Sequence, residues 1–324
     1  MRAGLRAGAG RDQGAPLAFG SGQARPSLSL WLESRGQIVS AVASATMAMP
    51  RRSWLARHRW LALRRASQFG FLALFLSGPW LGIWIAKGTL ASSLTLDVLP
   101  LTDPLFLLQS VLAGHWPANQ ALIGAAIVAL VYAVVAGRMY CAWVCPVNPV
   151  ADLAHVLRRK FGLARSIRID RRLRYWLLAA ILLAAAVTGS VVWEQVNPVT
   201  LTHRALVYGA LGGSALAMLA LGVLFLFDFG LAERGFCGHV CPVGAFYGLL
   251  GRFRLLRLAA PGRARCDDCA ACFAVCPEPR ILSPALRQPA GQAAILDPVD
   301  CTGCGRCADV CPHSVFAFTV GGKS

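Results

Sequence analysis

The sequence predicts an all-α polytopic membrane domain with four transmembrane helices, followed by a C-terminal α+β domain built around cysteine runs. Three observations carry that prediction. The 324 residues are 56% hydrophobic with a mean hydropathy of +0.55, above the roughly 45–50% apolar content of an ordinary soluble globule. The basic residues are bunched: of 32 Lys and Arg, 11 precede Ala66, 9 lie from Arg138 to Arg174 and 10 follow Phe227. All 12 cysteines fall in four compact motifs, Cys141/Cys145, Cys237/Cys241, Cys266–Cys276 and Cys301–Cys311.

Residues 1–48 are rich in Gly, Ala and Arg and show no period. No apolar core follows the first basic residues, so they read as neither a secretory signal nor a span. They are expected to be disordered, or an upstream extension ahead of a true start at Met47 or Met49. The stretch Arg51–Arg65, "RRSWLARHRWLALRR", is basic and Trp-bearing, a pattern that anchors at membrane surfaces.

A helical span needs ~20 apolar residues. Four segments without Lys, Arg, Asp or Glu qualify: Ala66–Ala86, Asn119–Gly137, Tyr175–Trp193 and Ala205–Phe227. Pro79 and the internal glycines are tolerable in membrane helices. Pro104–Gly114 is apolar but too short, and reads as a helix lying at the outer interface. Basic residues stay on the cytoplasmic side, so both termini and the central loop are expected there, with loops 87–118 and 194–204 outside. The expected location is therefore the bacterial inner membrane, multi-pass, with lipid as a partner. The net charge of +17 is then a topology signal and needs no nucleic acid to explain it. Trp143 and Trp193 read as interface anchors. The expected domains are residues 1–48, a membrane domain over 49–260 and a cluster-binding domain over 261–324.

The tail contains "CDDCAACFAVCPEP" and "CTGCGRCADVCPHS", both Cys-x2-Cys-x2-Cys-x3-Cys-Pro. This is the spacing of bacterial two-cluster ferredoxins, in which the fourth cysteine of each run serves the other cluster. One [4Fe–4S] is therefore assigned to Cys266, Cys269, Cys272 and Cys311, and the other to Cys301, Cys304, Cys307 and Cys276. The small residues Ala270, Ala271, Gly303 and Gly305 let backbone amides approach the sulfides. A zinc site favours separated pairs and only four ligands, which two tandem runs do not match. A disulfide scaffold belongs in a short secreted chain. The C-terminal fold expected is thus an α+β domain of the bacterial two-[4Fe–4S] ferredoxin-like type.

Two further stretches repeat each other, "RMYCAWVCPVNP" from Arg138 and "RGFCGHVCPVGA" from Arg234, 96 residues apart. The i, i+4 spacing puts each cysteine pair on one helix face, and the following Pro disfavours helix at Cys145 and Cys241. The pattern reads as a duplicated hairpin, and two hairpins side by side bring four thiols together. Three uses fit the pairs: ligands of a metal or cluster, a dithiol redox couple, or small side chains packed at helix ends. Glu194, His203, Asp97, His155 and Asp228 are candidates for proton transfer.

The order of four apolar segments, two Cys-x3-Cys-Pro motifs and a double-cluster tail resembles the NapH family. These are ferredoxin-type membrane components of the quinol dehydrogenase serving periplasmic nitrate reductase. The stretches "LTDPLFLLQS", "CPVNPVADLA", "WEQVNPV" and "CGHVCPVGAFYGLLG" carry the likeness, which runs from about Arg51 to Phe318. All eight tail cysteines and all four paired cysteines fit the family pattern; residues 1–48 are not part of it. The resemblance implies electron transfer from quinol, as substrate, toward periplasmic nitrate reductase. It also implies a periplasmic iron–sulfur subunit, a membrane-anchored cytochrome c, or both, as partner. The chain would be an electron-transfer component, not a stand-alone catalyst. MauN-type proteins of methylamine oxidation are the nearest competitor, and a maturation factor that reduces a metal or disulfide is the alternative from another class.

Overall fold

The computed structural model describes residues 53–163, 166, 167, 169–208, 214–287 and 294–321. The expectations for residues 1–48 lie outside the described residues. The chain divides at Met47/Ala48, and everything below concerns the part after that boundary.

Helix α1, Trp54–Leu81, is the longest among the described residues at 28 residues. Its first half carries Arg57, Arg59, Arg64 and Arg65, and Pro79 lies in its last turn. A three-stranded antiparallel sheet follows, β1 (Ala86–Gly88), β2 (Ser92–Thr95) and β3 (Leu99–Thr102). Helix α2, Pro104–Leu112, starts at Asp103, whose carboxylate accepts from the Leu105 amide as an N-cap. Pro104 at the first helical position suits that start.

The next elements form a structural repeat that extends the sequence repeat. Helix α3, Asn119–Val131, runs into a π-helical turn at Tyr132–Ala136. A short helix α4, Met139–Trp143, then carries Cys141, and helix α5, Asn148–Lys160, follows the Cys145-Pro146 step. The second copy has helix α9, Ser214–Leu226, a π-turn at Phe227–Leu231, a turn at Phe236–Val240 carrying Cys237, and helix α10, Pro242–Leu250, after Cys241. Between the copies lie α6 (Leu173–Thr188), α7 (Val192–Val196) and α8 (Pro198–Tyr208). The copies meet at two glycines. A Cβ on Gly251 would stand 2.1 Å from the Cα of Gly137, a backbone approach that any side chain would block.

The C-terminal part is a small antiparallel sheet with β4 (Leu256–Ala260) between β5 (Ala294–Ile295) and β6 (Ala317–Val320). Its central strand lies upstream of the boundary expected at residue 261. Short helices α11 (Ala271–Val275), α12 (Leu282–Arg287) and α13 (Arg306–Val310) complete it. Leu258, Ala260, Leu282, Leu296 and Val315 form its core together with Cys272, Cys301, Cys307 and Cys311.

The expected four-span membrane fold is not what forms. Among the described residues no helix is long and apolar enough to cross a membrane. The charge-free runs are real, but the backbone interrupts them. The third run stops being helix at Gly189, a left-handed C-cap (φ 64°). The second gives a helix of 13 residues before the π-turn. The first leaves helix at Gly82 (φ 72°) and continues as β-strand. In the fourth, the described residues form the end of α8 and the 13-residue α9. The multi-pass inner-membrane location falls with the spans, and with it the inside–outside assignment of loops. Helix α2 is not an interfacial helix either. Its Leu105 and Gln109 are buried, and Leu105 packs with Leu178, Val243 and Tyr247. Trp143 donates its indole N–H to the Gly303 carbonyl (3.1 Å) and the Trp193 amide donates to Gln109 Oε1 (3.1 Å), so both are internal contacts.

Much of the basic charge is also internal. Arg64 and Arg65 hold Asp152 (2.9 and 2.5 Å). Arg138, Arg171 and Arg174 converge on Glu278 and Asp300. This second network fixes the C-terminal part to the helical body.

Candidate functional site

The two four-cysteine runs fold alike because their backbones turn at matching places. In the first, Asp268 and Ala270 have positive φ (55° and 57°); in the second, Gly303 and Gly305 do (59° and 70°). Each run ends in a five-residue helix, α11 or α13, and then in an extended cysteine before proline. Cys276 has φ −71° and ψ 129°, and Cys311 has φ −74° and ψ 115°. Glycine is needed in the second run for a steric reason as well. A Cβ on Gly303 would meet Met139 Cγ at 2.6 Å, and one on Gly305 would meet Trp60 Cγ at 2.6 Å. The second loop is therefore pressed against the helical body, whereas Cys266 and Cys269 of the first remain partly exposed.

The structure brings the eight cysteines to two cavities. One is lined by Cys266, Cys269, Cys272 and Cys311, with Phe273, Val315 and Phe316. The other is lined by Cys276, Cys301, Cys304 and Cys307, with Leu258, Ile281 and Leu296. Backbone amides point at the sulfurs: Glu278 N to Cys276 Sγ, Gly303 N to Cys301 Sγ and Val315 N to Cys311 Sγ, each 3.4 Å. Burial pushes the Cys272 thiol up to about 12 and lifts those of Cys276, Cys301 and Cys307. Such thiols ionise only against a bound cation.

This donor set fits iron–sulfur clusters. Among the described residues no three Cys, His, Asp or Glu groups converge closely enough to hold one metal ion. The sulfurs ring cavities instead, as the corners of a multi-metal cluster require, and amide-to-sulfur hydrogen bonds are among the contacts that tune one.

Comparison with known proteins gives the same chemistry. A pattern described as a 4Fe-4S dicluster domain matches residues 265–315, and one described as a 4Fe-4S binding domain matches residues 119–164 and 213–260. The chain is 49% identical over 280 residues to the ferredoxin-type protein NapH of Escherichia coli K12, covering 84% of this chain and 93% of that protein. The NapH of Haemophilus influenzae is 46% identical, covering 82% and 91%. The chain belongs to the NapH family of ferredoxin-type proteins. MauN of Paracoccus denitrificans, a methylamine utilization ferredoxin-type protein, is also similar, 51% identical over 76% of this chain and 86% of its own. No solved structure matches. As a NapH-family member, the chain is a ferredoxin-type electron-transfer protein that binds 4Fe-4S clusters.

A third cavity, of about 730 Å³, lies where the helical body meets the second cluster loop. Cys304, Thr302, Pro277 and Glu278 line one side; Cys141, Cys237, His155 and Asp152 line the other. His155 is buried, and its Nδ1 stands 3.1 Å from Glu233 Oε1, whose side chain is 53% exposed. Asp152 is a poor base. Burial alone would raise its pKa, but Arg234, Arg64 and Arg65 outweigh it and hold the carboxyl below the ordinary range.

The other proton-transfer candidates are scattered. Asp97 is exposed and paired with Lys87 (2.7 Å). Glu194 accepts from the Thr200 hydroxyl (2.7 Å). His203 is buried edge-on to Phe75. Asp228 is buried and accepts from the Phe236 amide (2.9 Å). Of the five, only His155 lines the large cavity. Sequence reasoning missed the arginine network. Its one available signal was position: Glu278 and Asp300 are immediate neighbours of the Cys276-Pro277 step and of Cys301.

Proposed function

We propose that this chain passes electrons from a quinol toward nitrate reduction, as its likeness to NapH implies. Cys266, Cys269, Cys272 and Cys311 would hold one [4Fe–4S] cluster, and Cys276, Cys301, Cys304 and Cys307 the other. The grouping of these cysteines around two cavities supports that crossed ligation. When bound, each cluster takes up and returns one electron.

The observation that carries the quinol reading is the 730 Å³ cavity. Quinol oxidation releases two electrons and two protons, so it needs an electron acceptor and a base beside one space. Cys304 borders this cavity on one side and His155 on the other. His155 takes the two protons one after the other, and Glu233, partly exposed beside it, passes each to solvent. The electrons leave to a partner such as a second iron–sulfur protein or a c-type cytochrome of the nitrate pathway.

The test is anaerobic mixing of the cluster-loaded chain with a water-soluble quinol, followed by EPR. Reduced-cluster signals within seconds, slowed at least tenfold in His155→Gln, support the reading. Clusters that dithionite reduces but quinol does not would end it. Restoration of nitrate-linked quinol oxidation in a bacterium lacking NapH separates this role from methylamine oxidation.

A further inference from the structure

The two repeats supply four cysteines that the dicluster tail does not use, and the fold assembles them. Cys237 lies within electrostatic reach of Cys141, Cys145 and Cys241, and Cys145 within reach of Cys141 and Cys241. We propose that Cys141, Cys145, Cys237 and Cys241 hold a third iron–sulfur cluster, with two ligands from each repeat.

Four observations support this. Each segment matched by the 4Fe-4S binding pattern, 119–164 and 213–260, contains only one cysteine pair. A cubane needs four protein ligands, so neither segment completes a site alone and the two together complete one. Second, the backbone at Cys241 (φ −65°, ψ 114°) is that of Cys276 and Cys311, and a proline follows in every case. Third, both repeats aim amides at the second sulfur of the pair. The N–H groups of Val147 and Asn148 bond to Cys145, and those of Val243 and Gly244 bond to Cys241. These are the same offsets after a Cys-Pro step, at the start of α5 and α10.

Fourth, the counter-charge is in place. A [4Fe–4S]²⁺ core with four thiolates carries a net charge of about −2. Arg138, 2% exposed, hydrogen-bonds the Cys141 side chain and donates to the Cys237 carbonyl (3.2 Å), while its Nε has no partner. Arg174, equally buried, also acts on Cys141. Both guanidinium groups also pair with Asp300, and they place positive charge beside Cys141.

This inference builds on the two-cluster reading above and fails separately from it. The experiment counts iron and acid-labile sulfide in the anaerobically purified full chain, with Mössbauer spectra. About twelve irons per chain are expected, against about eight for the tail alone. The Cys145→Ser/Cys241→Ser variant should lose about one third of the iron and keep the tail's EPR signals when reduced. Cys269→Ser should also lose about one third, with the remainder including the third cluster's Mössbauer component. Eight irons in the unsubstituted chain would overturn the proposal, whatever the variants do. So would four paired thiols recovered as disulfides or bound to zinc. If the double variant does not fold, the count in the unsubstituted chain still decides.

Discussion

Replacing Asp300 by Asn removes one charge from the network that fixes the second cluster loop to the helical body. Two carboxylates, Glu278 and Asp300, face three guanidinium groups, Arg138, Arg171 and Arg174. Arg138 and Arg174 are 2% exposed and Asp300 14%. Asp300 contacts Arg171 (2.5 Å) and makes a short contact with Arg174. Asn keeps the shape but leaves three guanidinium groups, two of them buried, with one anion. Removing one partner of a buried pair costs about 3–5 kcal/mol. That is a large share of the ~5–15 kcal/mol that holds a typical domain together. Urea unfolding, followed anaerobically by cluster absorbance, measures it. The control is Asp97→Asn, which breaks an exposed pair with Lys87 (side chains 47% and 59% exposed) and should cost about 0–1 kcal/mol. The pH dependence gives a second reading. Burial alone would raise the Asp300 pKa, but the hydrogen bond and charge of Arg174, with Arg171 and Arg138, hold it below the ordinary value. A depressed carboxyl stabilises above its unfolded pKa and loses that effect as pH falls through its folded pKa. Wild type and Asp300→Asn should therefore differ fully at pH 7 and converge below about pH 4. A loss under about 1 kcal/mol at pH 7, no larger than the exposed control, would refute the claim that this network anchors the loop.

Four other outcomes follow from the same geometry. Gly305→Ala places a methyl 2.6 Å from Trp60 Cγ at φ +70° and should cost about 2–4 kcal/mol, whereas Ala270→Gly, at φ +57°, should gain about 1 kcal/mol; urea midpoints check both. Asp228 is raised to about 6 by burial, so its protonated form is stabilising below about pH 4 and that contribution is lost as pH rises through 6. Asp228→Asn should thus be more stable than wild type at pH 8 by about 1–3 kcal/mol, with the difference fading at pH 4; equal stability at both pH values would contradict it. Cys304→Ser and Cys269→Ser should each remove about four irons but different EPR components, since the cysteines line different cavities. His155→Gln should slow quinol oxidation by about 10²-fold and flatten its pH profile, while leaving iron content unchanged.

The cluster-binding part was legible in the sequence because Cys-x2-Cys-x2-Cys-x3-Cys-Pro spacing is a direct image of the ligand geometry. The doubled Cys-x3-Cys-Pro motif likewise announced a duplicated hairpin, though not the π-turn that precedes each cysteine pair. The membrane domain was misread because hydropathy records which residues avoid charge, not where the backbone stops being helix. Gly189, Gly82 and the turns at Tyr132–Ala136 and Phe227–Leu231 made that decision. The arginines misled for a related reason. Arg138, Arg171 and Arg174 look like a loop's surface charge until Glu278 and Asp300, more than 100 residues on, are seen beside them.

The repeats also exchange arginines. Arg138, three residues before Cys141, donates to the carbonyl of Cys237, and Arg234, three residues before Cys237, reaches back to Asp152 of α5 (3.7 Å). Neither half is therefore an autonomous folding unit. A chain severed between α5 and α6 should yield two fragments that are each poorly soluble alone and regain shape only when mixed.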